Sequence, residues 1–231
     1  MAFKKLVAPS LTELFIEELK SMILSGKLSI GEKLPPERQM AEEMNVSLAV
    51  IHNGIKQLVS LGFLYVVPRQ GIFVTDYVRN GNMETMMEII NYHEDRLSDD
   101  IMKPIIDFRR SIELASIRLA CEHRTEESLT VLSQLADKAA KDGDSSSLPE
   151  TAFHFHHEIA LASGNIYYPM ITKTFQPLFL VFYQKRLAVR EAASVAAFLQ
   201  SLYEAIKDRK TDVAEDILNR SIDEWVAALD E

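Results

Sequence analysis

The hydrophobic positions of this chain change period twice. Residues 10–25, SLTELFIEELKSMILS, place Leu11, Leu14, Phe15, Leu19, Met22 and Ile23 at helical spacing. Ser10 and Glu13 have capping-box spacing before that run, and Gly26 supplies a stop after it. Beyond LSIGEKLP, Pro36 suits a first helical turn, and ERQMAEEMN sets Met40, Ala41 and Met44 on one face. Asn45 suits the left-handed turn that ends such a helix. Ser47 then caps LAVIHNGIKQLVSLG, whose inward stripe is expected to be Ile51, Ile55, Leu58 and Val59, closed by Gly62. Two helices so closely spaced form a helix-turn-helix candidate. FLYVV and GIFVT are β-branched and aromatic runs flanking PRQ, which predicts two strands joined by a tight turn. Three helices and a small hairpin describe a winged helix-turn-helix.

From about Thr75 the helical period returns and stays. TDYVRNGN is polar and reads as a linker. Helices are expected near 83–94, 100–122, 126–141, 149–163, 167–190, 192–208 and 212–229, with Thr125 and Thr211 as start signals and Gly143 and Gly164 as stops. Pro177 should bend the fifth of these, because it removes a hydrogen bond and crowds the preceding turn. The predicted class is mostly α, an N-terminal winged helix-turn-helix followed by an all-α antiparallel bundle. The boundaries are 1–77 for a DNA-binding domain, 78–98 for a linker and connecting helix, and 99–231 for an effector-binding and dimerisation domain.

Composition narrows this picture without redirecting it. A 47% hydrophobic content supplies proper cores. The longest apolar run, PLFLVFY, falls well short of the roughly 20 residues that span a bilayer, and MAFKKLV lacks a signal peptide's apolar core, so the expected location is cytoplasmic with no membrane partner. The single cysteine, Cys121, cannot close an internal disulfide and reads as a small buried apolar residue rather than a reactive thiol. Residues 1–78 carry 8 basic and 8 acidic side chains, so the remainder holds all of the net charge of −9. Bulk charge therefore does not point to nucleic acid, and any such assignment must rest on local arrangement.

KLPPERQMAEEMNVS, the helix after it and the turn QGIFV resemble the GntR superfamily of bacterial transcription regulators. DFRRSIELASIRLA and FHHEIALASGN are similar to signature pieces of the FadR-type (FCD) ligand-binding domain. The resemblance implies a homodimer that binds double-stranded DNA at a short palindromic operator and is adjusted by a small-molecule effector in the helical bundle. In a helix-turn-helix the start of the second helix enters the major groove while flanking groups grip phosphates. The candidates are Ser47, Ala49, Val50, His52 and Lys56, with Arg38 ahead of them and Arg69, Gln70 and Gly71 on the wing. Arg38 matches a family position that contacts DNA, where a guanidinium can pair with guanine; the alternative is a solvated surface arginine. Gly71 either lets the wing tip approach phosphate or serves the turn alone.

The chain departs from its resemblance at the reading helix. Many relatives carry arginines in the pattern VSRxxVRE, whereas this chain reads VSLAVIHN, with Leu48 and His52 at the arginine positions and Asn53 in place of the acid. Losing two cations implies weaker, less salt-dependent binding and unusual specificity. His52 can still donate to base or phosphate or lie idle on the surface, and Leu48 can meet a thymine methyl or pack locally.

The stretch TAFHFHHE raises the question of a metal. On a helix Ala152, Phe155, His156, Ile159, Ala162 and Ser163 share the inward stripe, while His154 and His157 lie to the side, so one imidazole alone points inward. By resemblance, metal-binding relatives place an aspartate and two further histidines where this chain has Ala152, Leu199 and Ser221. No metal and no other cofactor is therefore expected. Arg109 matches a carboxylate-binding arginine of the family, or else pairs with Glu113 one turn on. The aromatic run Leu178–Tyr183 suits either core or a carboxylate or acyl effector's apolar part, and Tyr203 and Trp225 either line the cavity or pack. The expected effector site is Arg109, Glu113, His156, Tyr203, Ser221 and Trp225. No nucleophile motif or phosphate-cradling loop supports an enzyme. The remaining alternatives are a regulator acting mainly through protein partners and a metal-dependent ligand sensor with weak DNA binding.

Overall fold

The computed structural model describes residues 8–93, 99–142, 146–189 and 192–227. The chain divides into two compact units, residues 1–96 and 97–231. The first contains α1 (Leu11–Leu24), α2 (Glu37–Glu43), α3 (Leu48–Ser60), the antiparallel strands β1 (Leu64–Val67) and β2 (Gly71–Val74), α4 (Tyr77–Asn80) and α5 (Met83–His93). The capping box forms as the spacing predicts: Ser10 Oγ accepts from Glu13 N–H, and a Glu13 carboxylate oxygen accepts from Ser10 N–H at 2.7 Å. Asn45 takes the left-handed conformation at φ 51° and ends α2. Pro36 stands at the N-cap of α2, one residue ahead of its first turn.

The core of this unit joins Phe15, Ile16, Leu19 and Ile23 of α1 to Ile51, Ile55 and Leu58 of α3 and to Phe63 and Val74 around the hairpin. Val59 does not join it. It is exposed, and Gly54 takes the inward place, because α1 crosses so close that a Cβ on Gly54 would stand 2.2 Å from Phe15 Cδ1. The wing is backed by a third short segment, with Leu34 N–H donating to Ile72 O at 2.8 Å and a bridge between Lys33 and Phe73.

The stretch read as a linker and connecting helix is partly built into this unit. Lys20 of α1 is buried and pairs with Glu17 and, across to α5, with Glu88. Thr85 Oγ1 donates to Leu61 O at 2.7 Å, and the Ser21 and Tyr92 hydroxyls stand 3.3 Å apart.

The second unit is helical throughout its described residues: α6 (Asp99–His123), α7 (Glu126–Asp142), α8 (Leu148–Ala162), α9 (Tyr167–Thr174), α10 (Gln176–Val189), α11 (Ala192–Lys207) and α12 (Thr211–Ala227). The expected stop at Gly143 lies outside the described residues. The expected single bent helix over 167–190 is instead two helices. Pro177 sits in the first turn of α10, where its missing N–H has no intrahelical partner to lose, so it begins a helix rather than kinking one. Helix ends are tied by arginines: Arg124 donates to Ile206 O at the end of α11, and Arg209 to Cys121 O at the end of α6. Arg110 with Asp223 and Arg118 with Glu215 bind α6 to α12. Cys121 is buried, and burial pushes its thiol above the ordinary range.

Candidate functional site

Two groups of residues carry chemistry, one in each unit. In the first, the buried stripe Ile51, Gly54, Ile55 and Leu58 fixes the rotation of α3, so Leu48, Ala49, His52, Asn53 and Lys56 face outward. Ser47 caps the helix, its Oγ accepting from Val50 N–H. His52 is not free-standing: its Nδ1 lies 3.2 Å from Glu37 Oε2 at the start of α2. That contact pins one helix of the pair to the other and commits one ring nitrogen. Arg38 is exposed on the opening turn of α2.

The wing tip is a turn closed by Gln70 N–H donating to Val67 O at 3.0 Å, with Pro68 and Arg69 at its centre. Arg69 holds φ 64°, a conformation that favours glycine. Gly71 follows at φ 130°, and a Cβ there would meet the Lys33 side chain at 2.8 Å. An open groove of about 380 Å³ runs between the wing and residues 33–37, with Glu37, Arg69 and Gln70 on its walls. The structure thus brings Arg69, Gln70 and Gly71 together at one tip, and Ser47, Ala49, His52 and Lys56 along one helix face.

In the second unit, Arg109 and Glu113 lie one turn apart on α6, and His156 reaches them from α8. Glu113 Oε1 accepts from Arg109 Nη2 at 3.2 Å and from His156 Nδ1 at 2.9 Å. His156 Nε2 stands 2.6 Å from the Tyr183 hydroxyl of α10. The Arg109 guanidinium lies 4.0 Å over the Phe179 ring. Burial alone would push the Glu113 carboxyl up, but the Arg109 and His156 charges beside it outweigh this and hold it at about 2. The cluster is therefore an ionised, buried pair with a hydrogen-bonded imidazole and phenol attached.

Two atoms of it are unsatisfied. Glu113 Oε2 and Arg109 Nε are buried without a hydrogen-bond partner. Arg109 borders two narrow clefts with about 20 Å³ of free space each, one shared with Glu113, Phe108 and Phe179, the other with Tyr183, Phe198 and Ser221. Of the residues expected at the effector site, Arg109, Glu113, His156 and Ser221 converge here. Tyr203 lies on α11 beside Lys207 and borders neither cleft. The Trp225 side chain lies outside the described residues. Tyr183, Phe179 and Phe182, which the sequence offers as part of an apolar run suited to core or to an effector's apolar part, belong to the cluster. The signal was available for Tyr183, since a tyrosine inside an apolar run needs a partner for its hydroxyl.

The same geometry answers the metal question. Ala152 and Leu199 are fully buried and offer no donor atoms, and His156 has both ring nitrogens engaged. Among the described residues no three histidine, cysteine or acidic side chains converge. This donor set does not fit a divalent ion.

Comparison with known proteins joins the two units. The sequence profile "Bacterial regulatory proteins, gntR family" matches residues 11–74, and that of the FCD domain matches residues 104–224. The HTH-type transcriptional regulator YcbG of Bacillus subtilis is 26% identical over 202 residues, 87% of this chain and 82% of its own length. The fatty acid metabolism regulator protein of Shewanella pealeana is 23% identical over 193 residues, 83% of this chain and 79% of its own. The solved structure of Lar, reported as controlling expression of the Listeria monocytogenes agr system, shares the fold. Its TM-score is 0.61 at 16% identity, over 96% of this chain and 98% of that one. The chain belongs to the GntR family of bacterial transcription regulators, DNA-binding proteins and not enzymes, in the branch whose second domain is an FCD domain.

Proposed function

We propose that the protein acts as a homodimer whose two winged units grip the half-sites of a palindromic operator, and that a small-molecule effector at the Arg109–Glu113–His156 cluster adjusts that grip. One observation carries the effector reading: a buried donor, Arg109 Nε, and a buried acceptor, Glu113 Oε2, lack partners beside a cleft walled by phenylalanines. Buried polar atoms left so cost about 1–3 kcal/mol each, which a ligand supplying both an acceptor and a donor recovers. Because Glu113 already balances Arg109, a head group with both capacities fits better than a bare carboxylate. An acyl compound with such a head would lay its chain on Phe108 and Phe179. The naming of the Shewanella pealeana relative as a fatty acid metabolism regulator agrees with that class.

At the other end, the exposed Arg38, Lys56 and Arg69 supply phosphate contacts, and α3 supplies the groove contacts. Among the described residues no helix is long and apolar enough to cross a membrane, which agrees with action on DNA in the cytoplasm. The test is a binding titration on duplexes enriched from a randomised pool, repeated after native mass spectrometry has identified any small molecule retained by the full chain. The reading expects a two-protomer complex on one duplex, a retained acyl compound, and an affinity that changes when the compound is stripped. A monomeric complex, or an affinity indifferent to every retained compound, overturns it.

A further inference from the structure

The groove-facing start of α3 is apolar. Leu48 is 45% exposed at its first position, and Ala49 is exposed beside it. Ala49 stands opposite the buried stripe of Ile51, Ile55 and Leu58, while Leu48 stands at that stripe's edge in the first turn, one turn ahead of Ile51, and stays exposed there. The nearest polar side chain on the same face, His52, has its Nδ1 turned to Glu37. So the position where an arginine would offer paired donors to guanine offers instead a branched hydrocarbon and a methyl group.

In the major groove guanine presents two acceptors, which an aliphatic side chain leaves unsatisfied. Thymine presents a C5 methyl, the one apolar group on a base edge there. An exposed leucine gains free energy by covering such a methyl and loses it by covering guanine's acceptors. We infer that Leu48 and Ala49 read thymine methyl groups, so that each half-site carries an A·T pair beneath the start of α3. This rests on α3 being the helix that enters the groove. It makes Leu48 a specificity-determining residue, and it explains how a reading helix without arginines there can still discriminate between sequences.

The experiment uses the full chain and duplexes enriched from a randomised pool. Each enriched thymine is then replaced in turn by deoxyuridine, which removes the C5 methyl and keeps every hydrogen-bonding group. The expected result is an affinity weakened about fourfold for each contacted methyl removed. Leu48→Ala, at an exposed position that leaves the core untouched, should bind the thymine operator correspondingly less well and lose most of its sensitivity to deoxyuridine. Leu48→Arg, re-enriched on the same pool, should shift the preferred base at that position from thymine to guanine. An operator equally well bound with deoxyuridine throughout, or guanine enriched by the wild-type chain beneath α3, overturns the inference while leaving DNA binding by α3 intact. A pool from which nothing is enriched overturns both.

Discussion

Replacing Glu113 with glutamine removes the negative charge from the centre of the helical unit while keeping the side chain's size. The Glu113 side chain is 7% exposed and that of Arg109 12%, so neither charge has much access to water. In the variant the guanidinium remains over Phe179 without its counter-charge, and His156 Nδ1 faces a neutral acceptor at best. Breaking a buried pair by removing one partner costs about 3–5 kcal/mol. The amide oxygen retains one acceptor, which returns about 1 kcal/mol. The expected loss is thus about 2–4 kcal/mol, or about 1–2 M in urea midpoint for a unit of this size. Urea unfolding of the full chain at pH 7, followed by the fluorescence of its one tryptophan, Trp225 on α12, reports on this unit. Arg109→Met combined with Glu113→Leu should cost less than the sum of its two single changes, because no uncompensated charge remains. A loss below about 1 kcal/mol for Glu113→Gln, or strict additivity of the pair, would refute the cluster as the source of this stability.

Because the Glu113 carboxyl titrates at about 2 rather than at its ordinary 4.5, its stabilisation is complete above pH 4.5 and is lost as pH falls toward 2. Urea midpoints of the helical unit should decline across that window by the equivalent of about 3 kcal/mol, and Glu113→Gln should flatten the decline. Arg69→Gly should relieve about 1 kcal/mol of backbone strain at φ 64°, seen as a higher melting temperature. The same change should weaken DNA binding and lower the salt slope by about one. Gly54→Ala places a Cβ 2.2 Å from Phe15 Cδ1, and should cost about 1–2 kcal/mol in the winged unit despite alanine's better helix propensity.

What could be read from sequence was local, and what could not was held by contacts between distant residues. Ser10 with Glu13, Asn45 and the two strands around PRQ are short-range devices whose geometry is written in adjacent residues. Val59 was expected inside because it is apolar, but the crossing of α1 over Gly54 sets the rotation of α3, and valine falls outside it. No local pattern marks Lys20, which is buried against Glu88, sixty-eight residues away, and this draws α5 into the first unit. Arg109 and Glu113 are legible as an i, i+4 pair. Their third and fourth partners, His156 and Tyr183, come from two other helices, and no local pattern marks that meeting. Pro177 predicts a kink only where a helix runs through it, whereas at the first turn of α10 it is compatible with a start.

The measurement closest to the central claim is a footprint of the full chain on a duplex enriched from the randomised pool, beside an Arg38→Ala variant. If α3 and the wing read DNA as a symmetric pair, protection falls on two half-sites about one helical turn apart, and the variant loses it at the same salt concentration. Protection of a single site, or a footprint unchanged by Arg38→Ala, would contradict the account.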